Sequence, residues 1–370
     1  MRVHQILASL EAGDAVSNQA LAIHRLLAGW GFEPRLYAHN MDEFAKARAE
    51  RDEGYRPFMH QAEDLLIFHY SIYCDNYRLF LESRNRKVLV YHNITPAEYY
   101  RGFSSHLEEL CRAGREILPL FSSGCDLALG DSDFNRRELV EAGFPEERTG
   151  VLPIHPPLGR LEAVEEDRSL RDLLEDGKVN FLYVGRVVPN KRVDDLIRFF
   201  SCYYRGVDSR ARLVLAGLPI GSYLSVLLDL VDDLGLEGRV LFLGKVSDAA
   251  LKACYLHSHY YLSMSEHEGF CVPLLESFHF GLPVLAYAAG AVPETMGGAG
   301  ILFDRKDFPL LAELVNRLQR DPLLRERIVQ AQRKRLEDFA PGVFAARLRE
   351  ALRRVLGEPA EERAEKEGVS

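Results

Sequence analysis

A chain of 370 residues is long enough for two domains, each burying its own core. Its formal charge of −9 argues against nonspecific nucleic-acid binding, so no nucleic-acid partner is expected, and any anionic ligand needs a local basic pocket. With 47% hydrophobic residues the composition suits a soluble globular protein, and no run approaches the roughly 18 apolar residues of a membrane span. The opening stretch, residues 1–10, has too short an apolar core for a signal peptide and reads as a buried strand. Six scattered cysteines form no Cys-x-x-Cys pair and no zinc spacing, so they read as reduced thiols in a cytoplasmic protein with no metal site.

Strand-like and helix-like segments alternate along the chain, the pattern of parallel sheets with crossover helices. In the first half, strands are expected at 3–9, 35–39, 65–70, 87–92, 127–130 and 150–153. The helix expected over 18–28, ended by Gly29 and Gly31, follows a loop containing Gly13. His92 closes the fourth strand. A histidine there is most often structural, and so is His69 near the end of the third strand. Tyr99, Tyr100 and Phe103 follow and could line a pocket or simply pack. Asp131-Ser132-Asp133 is a literal Asp-x-Asp, but it sits at a helix start, where capping explains it. Three prolines within 152–159 stiffen a candidate interdomain linker.

The second half repeats the alternation, with strands expected at 179–184, 212–216, 240–243, 260–264, 284–287 and 301–303. Arg186 leaves the first of these strands, and Lys191 sits just before a helix beginning near Val193. In open α/β sheets, ligands bind outside the carboxyl ends of strands, so both cations occupy binding positions. A guanidinium fork suits a phosphate's paired oxygens, and a lysine adds a mobile point charge. Ser247 reads as a helix cap beside Val246. The most informative stretch is 265–276. It sets Glu268 in a loop and Glu276 about one turn into a helix expected over 274–280, with Pro273 at the first helical position. Carboxylates grip sugar hydroxyls and helix-start amides grip phosphates, so the pair suggests a nucleotide sugar. Glu266 is a nearby competitor, and Cys271 reads as packing.

Together, Gly185-Arg186 through Lys191, Glu268-Gly269-Phe270 through Glu276, the run 281–286, and Gly290 through Glu294 resemble the retaining nucleotide-sugar glycosyltransferases of the GT-B type, family four (glycosyl transferases group 1). The opening strand-loop-helix around Gly13 is similar too, with one glycine where many relatives carry two. The resemblance spans residues 1 to about 355. It implies an α/β fold of two Rossmann-like doubly wound domains facing across a cleft. The expected division is an acceptor-side domain at 1–155, a linker at 156–172, a donor-binding domain at 173–340, a closing helix at 341–357 packing back on the first domain, and a disordered tail at 358–370.

What the resemblance implies about function is equally specific. The enzyme would be a hexosyltransferase that moves a sugar from a UDP- or GDP-linked donor to an acceptor hydroxyl, with retention, no metal and no further cofactor. His92, Arg186, Lys191 and Glu268 would be catalytic. Gly13, Arg186, Lys191, Val246, Glu268, Gly269, Phe270 and Glu276 would bind the donor. Glu276 would hold the ribose hydroxyls, the Val246 backbone the base, and Glu268 the transferred sugar. The acceptor (a saccharide, lipid-linked saccharide, metabolite or protein) stays open. So does peripheral contact with the inner face of a membrane through the arginine-rich last helix, for which packing is the alternative. An epimerase of the same fold and a non-catalytic nucleotide-sugar binding protein are the competing readings.

Overall fold

The structure is a computed structural model that describes residues 1–357. The tail expected to be disordered lies outside the described residues. Chain contacts divide the molecule into two units, one of residues 1–96, 109–155 and 339 onward, the other of 97–108 and 156–338.

The first unit is built on a seven-stranded sheet: β1 (Arg2–Leu10), β2 (Glu33–Met41), β3 (Glu50–Arg51), β4 (Leu65–Tyr70), β5 (Arg86–Tyr91), β6 (Leu127–Gly130) and β7 (Thr149–Val151), in the order β3-β2-β1-β4-β5-β6-β7. Every pairing is parallel. Strands covered on both faces read as apolar runs, and Leu65 to Tyr70 is buried at every position. Helix Ala15–Gly29 starts earlier than its periodicity suggests because Asp14 caps it, accepting from the Ser17 amide. Helix Pro341–Leu356 adds Phe344, Leu348, Ala351 and Leu352 to the core formed by Val3, Ile67, Val88 and Leu127. Its arginines are employed locally. Arg354 donates to the Thr149 and Glu147 carbonyls, and Arg349 lies over the Trp30 ring. Among the described residues no helix is long and apolar enough to cross a membrane.

The second unit has six parallel strands: β8 (Asn180–Val184), β9 (Arg212–Ala216), β10 (Val240–Gly244), β11 (Tyr260–Ser263), β12 (Val284–Tyr287) and β13 (Ile301–Phe303), ordered β10-β9-β8-β11-β12-β13. Phe181, Phe199, Phe200 and Tyr203 anchor its core. Helices Leu158–Glu162 and Arg168–Leu174, in and after the expected linker, pack with this unit. Lys252 Nζ donates to the Val164 carbonyl at 2.8 Å, and Arg160 pairs with Asp248 at 3.2 Å. Residues 97–108 also join it. Phe103 stacks edge-on against Tyr223, and Ser222 Oγ donates to the Phe103 carbonyl at 2.6 Å.

Strand order places the sites. In each unit the chain winds outward one way and then reverses. The reversal falls between β1 and β4 in the first sheet and between β8 and β11 in the second. Crevices open at such switch points, outside the carboxyl ends. The loop after β8 carries Arg186 and Lys191, and the loop after β11 carries Glu266 and Glu268. Two motifs about 80 residues apart in the chain are therefore neighbours because their strands are.

Candidate functional site

The cation loop is shaped by two glycines. Gly185 ends β8 at φ 148°, and Gly217 ends β9 at φ 152°. A Cβ on Gly217 would lie 1.8 Å from the Gly185 carbonyl oxygen, so only glycine lets these chain segments touch. Beyond this contact Arg186 points to solvent, with no ion pair among the described residues. The Tyr183 hydroxyl donates to the Arg186 carbonyl at 2.9 Å and fixes the turn from below.

Lys191 and Glu268 meet directly, Nζ to Oε2 at 2.5 Å, with both side chains largely buried. A brace joins their loops. The Glu266 amide donates to the Asn190 carbonyl at 2.9 Å, and Asn190 Nδ2 donates to the His267 carbonyl at 3.1 Å. Arg192 contacts Asp194, Asp195 and Glu266, and Lys306 contacts Asp195 and Glu266. Glu266, the competitor on sequence grounds, is thus tied into a structural ion cluster. A cavity of about 550 Å³ lies beside that cluster, lined in part by Tyr99, Phe103, Arg192, Tyr223 and Glu266; buried Tyr100 is not among its walls.

Glu268 is held by its backbone. The Ala291 amide donates to its carbonyl at 2.9 Å, and a Cβ on Gly290, at φ 56°, would come within 2.5 Å of that oxygen. Thr295 Oγ1 donates to the Phe270 carbonyl at 2.6 Å. The segment from Gly290 to Thr295 therefore shapes the carboxylate loop. The following helix runs Val272–His279, with Cys271 as its left-handed cap at φ 73°. This puts Pro273 in the second helical position, not the first, and begins the helix two residues before the expected Leu274. The left-handed Cys271 turns the chain into the helix sooner than proline placement alone indicates.

Glu276 is buried on this helix and accepts from the Tyr255 hydroxyl at 2.7 Å. Burial pushes its carboxyl up, and the tyrosine opposes that shift. Tyr183, Tyr255 and Tyr261 are kept neutral, well above the ordinary phenol range, first by burial; the next cause is Glu268 for Tyr183, Glu276 for Tyr255 and the Cys271 thiol for Tyr261. Glu268 and Glu276 also act on the Tyr261 hydroxyl, which donates to the Val184 carbonyl at 3.3 Å. None of these tyrosines stood out in the sequence. They look like strand and helix core residues, and their only signal is a hydroxyl on a fully buried ring.

Removing the Tyr255 hydroxyl should expose this balance. A carboxyl whose folded pKa is raised loses stability as pH rises from its unfolded value through its folded one. Tyr255→Phe withdraws a donor from the ionised form and raises that pKa further. The melting temperature should fall by more at pH 8 than at pH 5, with a loss of about 1–3 kcal/mol at the higher pH. Equal losses at both pH values would show that Glu276 does not change its protonation state between them.

Gly13 and His92 belong to the first unit. Gly13 takes φ 83° in the loop before Asp14. His92 is buried, and both its ring nitrogens have protein partners: Nδ1 contacts Asp131 Oδ2 at 3.0 Å, and Nε2 contacts His69 Nδ1 at 2.9 Å. Ser132 caps helix Asp133–Glu141, accepting from the Asn135 amide. Asp131 does not cap; it holds His92, because the strand end turns its side chain into the interior. Val246 lies half-buried in the loop after β10, and Ser247 caps helix Asp248–Leu256.

Only three non-glycine residues among those described have positive φ: Asn93, Arg192 and Cys271. Each directly follows or closes a predicted site segment. Strain of about 1–3 kcal/mol per residue persists where the surroundings enforce it, and it concentrates at functional sites.

Two parallel-sheet α/β units of this kind define the GT-B class of fold. The HepE protein of Anabaena, solved with UDP and glucose, superposes with a TM-score of 0.72 at 17% identity, covering 95% of this chain and 99% of that one. Sucrose-phosphate synthase from Thermosynechococcus elongatus gives 0.74 at 17% identity, covering 95% and 98%. Residues 165–335 match the family model described as Glycosyl transferases group 1. O-antigen chain mannosyltransferase B of Escherichia coli is 31% identical over 246 residues, 64% of this chain and 62% of that protein. The chain spans less than two thirds of the length of the curated relatives it matches first.

Proposed function

We propose that the protein is a glycosyltransferase that takes a hexosyl unit from a nucleotide sugar and gives it to an acceptor hydroxyl. The observation that carries the reading is the meeting of Lys191 and Glu268 at a switch point, with Arg186 exposed on the turn after β8 and Glu276 buried on the helix that follows the Glu268 loop. The diphosphate lies against Arg186 and Lys191. As the sugar–oxygen bond breaks, negative charge gathers on the leaving phosphate, and fixed cations stabilise it most in the transition state. Lys191 then exchanges part of its contact with Glu268 for phosphate oxygen. Glu268 faces the transferred sugar, with the Gly269 and Phe270 backbone beside it, and Glu276 holds the ribose hydroxyls. Val246 borders the base. Retention, with the phosphate accepting the acceptor's proton, and catalysis without a metal are parts of this reading. It is supported by the family match and by cations placed where a leaving diphosphate needs them. A relative that is a mannosyltransferase and a structural neighbour holding UDP and glucose support a UDP- or GDP-linked hexose as donor.

Incubation with a panel of UDP- and GDP-hexoses, following nucleotide release with and without saccharide acceptors, tests this. Acceptor-dependent release supports transfer. Acceptor-free conversion of the sugar would make the protein an epimerase, and saturable binding without turnover would make it a binding protein. Because Arg186 is exposed and unpaired, Arg186→Ala should fold normally. It should lose about 10- to 100-fold in kcat/KM, the value of one charge-assisted hydrogen bond. Wild-type kinetics in that variant would remove Arg186 from the site.

A further inference from the structure

Beneath the carboxyl ends of β1, β4, β5 and β6 runs an unbroken chain of buried polar side chains. Gln5 Nε2 donates to the Ala20 carbonyl at 3.2 Å. Gln5 Oε1 contacts His69 Nε2 at 3.0 Å. His69 Nδ1 contacts His92 Nε2 at 2.9 Å, the two rings lying 8° from parallel. His92 Nδ1 contacts Asp131 Oδ2 at 3.0 Å. Gln5, His69 and Asp131 are all at most 1% exposed, and so is the His92 side chain.

Hydrogen-bond inventory fixes the protons along this chain. A backbone carbonyl only accepts, so Ala20 sets the orientation of the Gln5 amide and turns its oxygen toward His69. That oxygen also only accepts, so His69 carries its proton on Nε2. Full burial holds His69 neutral, with the neighbouring His92 acting in the same direction. Its Nδ1 is therefore a lone pair, and His92 must donate to it from Nε2. The remaining contact, Nδ1 to Asp131, takes one more proton, shared between ring and carboxyl. No lone pair on His92 is left for a substrate.

We infer that Asp131 and His69 are positioning residues which lock His92 with a proton on Nε2, so that His92 is a strut of the strand end and not a general base toward the acceptor. The strut sits under a strained step. Asn93 follows at φ 70°, and its side-chain Nδ2 donates to Asn135 Oδ1 and Glu138 Oε2. A rigid, proton-saturated interior beneath β5 holds that unusual turn in place. The assignment rests on hydrogen-bond geometry and burial and needs no donor or acceptor, so it stands or fails separately from the proposed transferase activity. It concerns His92, which the family resemblance counts among the catalytic residues.

Imidazole nitrogen–proton correlation spectra of the nitrogen-15-labelled full chain read the assignment directly, with His69→Gln and His92→Gln spectra identifying the signals. The expected result is a protonated Nε2 and a pyridine-like Nδ1 on His69, and a protonated Nε2 on His92, with the His69 pattern unchanged between about pH 5 and 8, the range in which an unconstrained histidine titrates. Asp131→Asn should preserve the His69 pattern and make His92 Nδ1 pyridine-like, because the asparagine amide can donate to it. Asp131→Leu should lose the fixed pattern. A pyridine-like Nε2 on His92, a protonated Nδ1 on His69, or titration of His69 within that range would overturn the inference.

Discussion

Lys191→Met is expected to reduce kcat/KM by about 10- to 100-fold, the cost of one charge-assisted contact to phosphate, and to destabilise the protein as well. The second effect comes from Glu268. Its carboxylate is 2.5 Å from the lysine nitrogen and largely buried, so the substitution leaves a charge without its partner. The two effects separate in the double variant Lys191→Met/Glu268→Gln. A neutral amide tolerates the lost cation, so the melting temperature should recover, whereas turnover should not. If the single variant keeps wild-type kinetics, Lys191 is a structural partner of Glu268 and nothing more. If the double variant melts no higher than the single one, the unpaired carboxylate is not the source of the instability.

Gly217→Ala should be the most damaging single methyl group near the site. The new Cβ would stand 1.8 Å from the Gly185 carbonyl oxygen, a backbone atom that no rotamer change can move. Both segments are anchored, Gly185 by its amide to the Ala216 carbonyl and Gly217 by its amide to the Gly244 carbonyl. Relief therefore requires parting β8 from β9 at their carboxyl ends, and φ 152° adds strain for any side chain. A loss of about 2–4 kcal/mol is expected. For a unit of this size that is a fall of roughly 5–15 °C in melting temperature, readable by circular dichroism. Arg186 rides on the same turn, so donor affinity should fall in whatever folded protein remains. An unchanged melting temperature would mean the two glycines are not in contact.

Much of the architecture could be read from residue patterns because strands buried on both faces are continuous apolar runs. Leu65 to Tyr70, Arg212 to Ala216 and Val284 to Tyr287 coincide with their expected ranges. The two-residue β3 was invisible, since Glu50 and Arg51 are exposed and carry no apolar period. Helix starts were less legible than strands. A cap such as Asp14, through its side chain, or a left-handed Cys271, through its backbone, decides them. In the site, the charged residues at strand ends were conspicuous because charge beside an apolar run is rare. Their supports were not. Lys306 reaches Glu266 and Asp195 from another part of the chain, and Tyr255 reaches Glu276 from the preceding helix. In the sequence, Asp131-Ser132-Asp133 reads as a cap because Ser132 and Asp133 offer one. Only the three-dimensional register of β5 with β6 sets Asp131 against His92.

The central claim is that Arg186, Lys191, Glu268 and Glu276 hold one nucleotide sugar. Isothermal titration tests it most directly. The UDP- or GDP-hexose that most raises the melting temperature would be titrated into the wild-type protein, Arg186→Ala and Glu276→Gln, the last keeping an acceptor for Tyr255. The account predicts saturable one-site binding to the wild type, weakened by about tenfold or more in each variant. Equal affinity in all three proteins would contradict it.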